Sequence, residues 1–284
     1  MSRILKGKEV AEKILRETSE KIEKIKEKGV IPTLAIVRTG ENPGDMSYER
    51  GAVKRAFEAG IMAKSFVYEE DISQEDFLSE VKKLNEDPYI HGILIFRPLP
   101  AHIDDKAVCG LLDCSKDIDG ITAGSMAGVF MNEDIGYPPC TAEACMELLD
   151  YYGIDLEEKK VTVLGRSLVI GKPAAVMVMN KNATVTVCHS RTKNEDLKAA
   201  GKNADVIISA LGKAKMIDSN IVGENQIILD VGINVDEKGR LCGDVDFEDV
   251  CESAEAITPV PGGIGSVTTA VLIKHVAEAA EKAV

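Results

Sequence analysis

The stretch "VTVLGRSLVIGKPAAVMVMN", residues 161 to 180, decides the fold. Val161 to Leu164 form a short apolar run that stops at Gly165, and a helical pattern opens near Gly171, Lys172 and Pro173. A strand passing through a glycine turn into a helix aims backbone N–H groups and the positive end of the helix dipole at whatever lies over the turn, which makes an anion site. The spacing from Gly165 to Gly171 departs from G-x-G-x-x-G, and Arg166-Ser167 stands where that fingerprint leads to a second glycine. Taken alone, the stretch reads equally well as a plain tight turn.

The next strand sharpens the question. In dinucleotide folds its end meets the adenosine ribose, where an Asp or Glu selects NAD through the ribose hydroxyl. Here that end reads "CHSRT", so His189, Ser190 and Arg191 offer donors and positive charge instead of a carboxylate, as a ribose 2′-phosphate would demand. Arg166 meets the same need from the neighbouring turn; its plain alternative is a surface arginine paired with one of the many acids.

Further out, strand and helix alternate along the chain. "TLAIVRTG", "AKSFVYEE" and "GILIFRP" read as strands, with helices over 46 to 59, 73 to 86 and 104 to 113. Beyond "KVTVLG", a helix over 172 to 181, "TVTVCHS", a helix over 194 to 202, "DVIISALG" and "QIILDVGIN" follow. Residues 7 to 29 form an amphipathic helix closed by Gly29. Strict alternation implies parallel sheets with helices on their faces, an α/β class. The domain junction falls in the small-residue segment "TAGSMAGVFMNEDIGYPPC", after which Thr141 is expected as a helix N-cap. The expected domains are 1 to 140 with the last helix, 266 to 284, and 141 to 265.

With 34 Lys and Arg against 47 Asp and Glu, the formal charge is −13, which argues against a nucleic-acid or anionic-membrane binder. The seven cysteines form no C-x-x-C pair and read as buried thiols of a reducing cytosol. The four histidines are scattered without ligand spacing, so no metal is expected. "MSRILKGKEVAEKILRE" lacks the apolar core of a signal peptide, and no apolar run reaches a membrane span, so a cytoplasmic protein is expected.

"VLGRSLVIGKP", "ATVTVCHSRT", "LDVGIN", "GDVDF" and "PVPGGIGSVTTAVL", with "KDIDG" and "PPCTAEACMELL" upstream, together resemble the methylenetetrahydrofolate dehydrogenase/cyclohydrolases of one-carbon metabolism. The likeness runs almost end to end in the right order. It implies two α/β domains, the second a Rossmann-like doubly wound parallel sheet, with the last helix returning to the first domain. It also implies a folate cleft between domains and a homodimer. By that likeness Gly165, Arg166, Ser167, Ser190 and Ile233 hold NADP, joined by Arg191 from the charge reading above. Tyr48 and Asp119 line the pocket for a tetrahydrofolate one-carbon derivative at the reacting centre, Asp119 grasping the pterin, and Pro261, Gly262 and Gly263 bound the site. A carboxylate can accept from the amide and amine edge of a pterin, and Tyr48 can stack on a flat ring. For Asp117 the reading remains a turn aspartate serving its own backbone.

Three positions depart from the family. A serine usually stands three residues before the tyrosine, a lysine four after it, and a glutamine two before the first proline of "PLP"; here these are Asp45, Ala52 and Phe96. Hydrolysis of a methenyl bridge requires proton transfer, which alanine cannot supply. Lys54, two residues on, falls about 200° round the helix from Ala52 and reads as a solvated lysine. Asp45 reads equally as a helix-start acid. The sequence thus predicts an NADP-dependent dehydrogenase with cyclohydrolase action lost or impaired. Its alternatives are a catalytically silent folate and dinucleotide binder, or a dehydrogenase for another pterin carrier.

Overall fold

The computed structural model describes residues 2–283. In chain order the elements are β1 (Arg3–Ile4), α1 (Gly7–Glu27), β2 (Thr33–Thr39), α2 (Pro43–Ala59), β3 (Met62–Tyr68), α3 (Gln74–Glu86), β4 (Gly92–Ile95), α4 (Asp105–Leu111), α5 (Ala123–Met131) and α6 (Cys140–Tyr151). There follow β5 (Lys160–Leu164), α7 (Gly171–Asn180), β6 (Thr184–Cys188), α8 (Asn194–Lys202), β7 (Val206–Ser209), β8 (Ile227–Asp230), β9 (Asn234–Val235), β10 (Leu241–Cys242), α9 (Phe247–Val250), β11 (Ala256–Ile257) and α10 (Ile264–Lys282).

The chain divides into two compact units. One comprises Glu12–Cys140 and Thr269–Val284, so most of α10 returns to the amino-terminal half. The other comprises Met1–Ala11 and Thr141–Thr268. These limits differ from the expected domains at the amino terminus, because β1 pairs in parallel with β11 and takes the first residues into the second sheet. A two-residue strand carries no periodic signal, so nothing in the sequence announces it.

The first unit holds a three-stranded parallel sheet in the order β3-β2-β4, with Ala35 level with Lys64 and Ile93. Central β2 begins with five buried residues, Thr33 to Val37, the near-continuous apolar run expected of a strand covered on both faces. Ala35, Val37, Ile93 and Ile95 pack with Phe77, Val81 and Leu84 of α3 in one core cluster. Helix α2 buries Ala52, Ala56 and Ala59, a small-residue stripe at helical spacing. Its start is fixed by Asn42, whose Oδ1 accepts from the N–H groups of Gly44 (2.8 Å) and Asp45 (3.3 Å), with Pro43 inside the first turn. Asp45 thus occupies the first turn of this helix.

The second unit holds six parallel strands in the order β1-β11-β8-β7-β5-β6. The order steps outward from β5 in both directions, to β6 on one side and β7 then β8 on the other, so the sheet is doubly wound. Leu164, Ile207, Ile228 and Ile257 pack with Leu197 of α8 and Val250 of α9.

Two local expectations are corrected. Thr141 is not the cap of α6, which already starts at Cys140 behind Pro138-Pro139. Part of the small-residue segment assigned to the junction is helix α5. It is capped by Thr122, whose hydroxyl accepts from Ser125 N (3.1 Å), and ends at Asn132 in the left-handed region. No helix among the described residues is long and apolar enough to cross a membrane.

Gly243 has no room for a side chain, since a Cβ there would be driven into the Asp230 carboxylate. Gly243→Ala is therefore expected to lower the unfolding free energy by about 1–3 kcal/mol, read as a lower urea midpoint at unchanged slope.

Candidate functional site

In the second unit the candidate residues gather at the carboxyl ends of the parallel strands, where the ladder stops and ligands of such sheets bind. Leu164 and Cys188 are level across β5 and β6, and Gly165 N donates to Cys188 O (2.8 Å). Arg166 and Ser190 thus each lie two residues beyond an aligned pair. Gly165 has φ +127°, and a Cβ on it would meet the backbone of Ala210; one on Gly171 would meet the Gly165 backbone. Only glycine lets these three segments approach so closely.

Arg166 and Ser167 are exposed on this turn, and Ser167 Oγ accepts from Ile170 N (3.2 Å). No side chain caps α7, but Lys172 N already donates to Ser167 O (3.0 Å) and Pro173 has no N–H, so the Gly171 N–H is what the opening of the helix leaves for a ligand. Ser190 and Arg191 are exposed beyond β6. Among the described residues neither the Arg166 nor the Arg191 guanidinium is paired with a carboxylate, which removes the surface ion pair as an explanation of either. His189 uses one of its two ring nitrogens locally and leaves the other, Nε2, carrying the proton. Its Nδ1 accepts from Arg191 N (3.1 Å), so that ring nitrogen closes the turn and is not a donor to a ligand.

Ile233 is 68% exposed on the loop after β8. Two carboxylates that sequence reasoning passed over hold this region. Asp230 accepts from the N–H groups of Gly232 (3.0 Å), Asp244 (3.0 Å) and Val245 (2.9 Å). Asp244 in turn accepts from Leu211 N (2.6 Å), Lys213 N (2.9 Å), Asn234 Nδ2 (2.9 Å) and Ser209 Oγ (3.2 Å). Burial pushes the Asp230 carboxyl up to about 6 against the pull of its backbone donors. Their signal was present in "LDVGIN" and "GDVDF": an aspartate beside a glycine that must stay small because a carboxylate occupies its side-chain space.

The turn Pro261 to Gly263 belongs to the same unit. Gly7 N donates to Gly262 O (2.8 Å), and Gly262 has φ +102°. Pro261 and Gly262 are exposed, while Gly263 is buried.

In the first unit Tyr48 and Asp119 come together with residues that were not anticipated. Tyr48 stands on α2 and is 43% exposed, yet its hydroxyl end is desolvated and faces the Asp119 charge, both of which push its pKa up. Thr269 of α10 hydrogen-bonds that hydroxyl. Arg38 of β2 grips Glu49, the next residue of α2, through Nε to Oε2 at 2.6 Å. Asp117 is fully buried and accepts from Ile121 N (2.9 Å), Thr122 N (2.7 Å) and Ser125 Oγ (2.6 Å), serving its own turn as expected. Asp119, half-buried, has its carboxyl raised to about 6, first by burial and then by the neighbouring Asp117 charge.

The positions expected to depart from the family are well defined. Ala52 is 0% exposed, one turn after Tyr48. Phe96 is 8% exposed and meets the Tyr48 ring edge-on, with centroids 5.6 Å apart and planes at 70°. Lys54 is solvated and lies 3.8 Å from Glu58. Arg97 pairs through Nε and Nη2, one edge of its guanidinium, with the two carboxylate oxygens of Asp105 in α4. Among the described residues no group of three or more His, Cys, Asp or Glu is placed to hold a metal ion.

Residues 139–284 match the family described as "Tetrahydrofolate dehydrogenase/cyclohydrolase, NAD(P)-binding domain", and residues 5–119 match its "catalytic domain". The chain is 47% identical over 282 residues to a Clostridium botulinum protein named "Bifunctional protein FolD", covering 99% of both. The crystal structure of the bifunctional enzyme FolD, methylenetetrahydrofolate dehydrogenase/cyclohydrolase, from Campylobacter jejuni superposes with a TM-score of 0.97 at 38% identity, over 100% of each chain. The Trypanosoma brucei enzyme, solved with NADP cofactor and an inhibitor, gives 0.93 at 32% identity, over 99% of this chain and 98% of that one.

The Asp119 carboxyl is expected to titrate at about 6, well above its ordinary 3.8. The carboxylate stretch in wild-type minus Asp119→Asn infrared difference spectra over a pH series reads this directly; a midpoint near the ordinary value would contradict the desolvated setting.

Proposed function

The chain belongs to the tetrahydrofolate dehydrogenase/cyclohydrolase family, and from that premise we propose that it oxidises methylenetetrahydrofolate with NADP and has lost most or all hydrolysis of the methenyl product. The bifunctional name of its relatives covers both reactions. What separates this chain from that name is one observation: a fully buried Ala52 beside a Phe96 packed edge-on against Tyr48.

The cofactor reading is supported by the fit of the turn. Gly165 and Gly171 keep the backbone bare, the opening of α7 leaves the Gly171 N–H without a cap, and Arg166 and Arg191 bring unpaired positive charge where an NAD-selecting carboxylate would otherwise stand. Ser167, Ser190 and Ile233 complete the proposed cofactor contacts, and Pro261 to Gly263 the proposed border of the site. When bound, NADP supplies the hydride-accepting nicotinamide.

On the folate side, Asp119 in its ionised form accepts from the amide and amine edge of the pterin, and Tyr48 offers its exposed ring for stacking. Hydride loss leaves a carbon flanked by two nitrogens that already share the positive charge, so the protein has chiefly to fix distance and angle. Hydrolysis asks for more. Water must be deprotonated beside that carbon. The Ala52 methyl and Phe96 ring carry no proton to give or take, and Lys54 is turned to solvent. Two apolar groups at this point also keep water from the methenyl cation. The homodimer implied by the family resemblance is part of the same proposal, and its mass is read by sedimentation equilibrium.

One coupled assay tests the reading: NADPH absorbance reports dehydrogenation, and decay of the methenyl band reports hydrolysis on the same sample. NADP reduction is expected with hydrolysis absent or far slower than dehydrogenation, and an enzyme-dependent decay of the band as fast as NADP reduction would refute the loss. Ala52→Lys alone is expected to restore little, whereas Ala52→Lys with Phe96→Gln should raise hydrolysis on the order of 10²-fold, the lower end for a positioned acid or base. Arg166→Ala should raise KM for NADP at least tenfold while changing KM for NAD little; equal losses would remove the phosphate role.

A further inference from the structure

Arg38 follows the five buried residues that open β2, and its charge stays largely out of solvent. Its side chain is 11% exposed and that of its partner Glu49 is 13% exposed. The guanidinium holds two segments at once. Nε–H donates to Glu49 Oε2 (2.6 Å) on α2, and Nη1–H donates to the carbonyl of Gly40 in the loop that leads into that helix. A covered ion pair is a poor source of stability, because taking both charges out of water offsets what their attraction returns. Its use has to lie elsewhere.

The contacts of α2 show where. The residues it buries are Ala52, Ala56 and Ala59. Methyl groups make low ridges, so that face has no deep interlock to stop the helix from turning or sliding. On the flank carrying Glu49, Met46, Val53 and Phe57 line an open cleft of about 600 Å³, and Phe57 is 82% exposed. Close packing does not hold the helix on that side either. A charge-assisted hydrogen bond can, since it has a preferred length and direction. Tyr48 is the residue before Glu49, and its ring meets Phe96 edge-on at 5.6 Å. Rotating a helix by about 10° carries a side chain at its rim through about 1 Å. A displacement of that size at a reacting centre costs up to about 10²-fold in rate.

We infer that Arg38 and Glu49 are positioning residues for Tyr48: their bond fixes the rotation and slide of α2 on the sheet, and with it the place of the Tyr48 ring beside Phe96. This rests on the reading of Tyr48 as the ring that stacks on the pterin. Stability and positioning come apart in two variants. Arg38→Met with Glu49→Leu removes both charges and fills their space with apolar groups, which keeps the fold as stable as the wild type or makes it more so, while the directional bond is gone. Glu49→Gln keeps the side-chain length and an oxygen for Arg38 Nε but leaves the guanidinium without its counter-charge, so stability falls and the geometry stays.

The test measures urea midpoints, steady-state kinetics under conditions where every variant is folded, and the NMR spectrum of the ligand-free protein carrying 13C-labelled tyrosine. The chain has six tyrosines, and the Tyr48 signal is the one lost in Tyr48→Phe. The double apolar variant is expected to keep its urea midpoint and to shift the Tyr48 signal. Its kcat/KM for methylenetetrahydrofolate should fall about tenfold while KM for NADP stays unchanged. Glu49→Gln is expected to unfold at lower urea, yet to keep the Tyr48 signal and the folate kinetics close to wild type. An unmoved signal or full activity in the double apolar variant overturns the inference, as does activity that follows the urea midpoint across the two variants. If the double variant does not fold, Glu49→Asp decides. It keeps the charge pair with one methylene fewer, and is expected to draw α2 toward β2, shift the signal and lower kcat/KM for the folate; wild-type behaviour there overturns the inference. A wild type that reduces no NADP with methylenetetrahydrofolate defeats the reading of the site, and the role at the pterin with it. An active wild type whose Tyr48 signal and folate kinetics ignore these two positions defeats the positioning role only.

Discussion

At the carboxyl edge of a parallel sheet the backbone ladder ends, and every N–H beyond it must find another acceptor or face water. In the second unit that demand is met by Asp230 and Asp244, buried side chains that between them bind five backbone N–H groups, a side-chain amide and a hydroxyl. The loops carrying the cofactor candidates are therefore tied to one another through carboxylates. An ordinary hydrophobic core cannot do this, because it offers no acceptors. Burial of such charges is tolerated only when the donors are many and well placed, which is why glycines at 232 and 243 clear the space around them.

The first unit solves the same problem with different chemistry. Asp117 gathers two backbone N–H groups and the Ser125 hydroxyl into the start of α5, which fixes the turn from which Asp119 projects. Asp119 is spared that duty, and in the proposed function its carboxylate is the one that meets the pterin. The two aspartates stand two residues apart, and burial first and then the Asp117 charge raise the pKa of Asp119.

The α/β class, the parallel sheets and the order of the main elements were legible because central strands such as "TLAIV" and "VIIS" are nearly continuous apolar runs and are punctuated by glycine and helix-start signals. The turn from Gly165 to Gly171 was legible for the same reason, since its two glycines and Pro173 mark where the strand ends and the helix begins. The positions of Ala52 and Lys54 followed from helical geometry alone. What was not legible depends on distance along the chain. Nothing near Ile118 in sequence announces that its carbonyl meets His275 of α10, and nothing near Tyr48 announces Thr269. That His189 closes its own turn through Nδ1 was not legible either, because the sequence does not say which ring nitrogen serves the backbone. Helix α5 was passed over because its small, apolar residues give no clear polar face, although Thr122 and Asn132 mark its ends.

The pairing of β1 with β11 has a consequence for how the molecule is made. These strands are about 250 residues apart, so a chain growing at roughly 5–20 residues per second carries its first strand unpartnered for something like 10 to 50 s. During that interval the unpaired edge is open to mispairing with any neighbouring strand. Its brevity, with only Arg3 and Ile4 in the strand and a lysine at position 6, limits what it can template. For the same reason a fragment cut from residues 141 to 265 alone lacks the edge strand that closes its own sheet, and the two ends of the chain have to be supplied together.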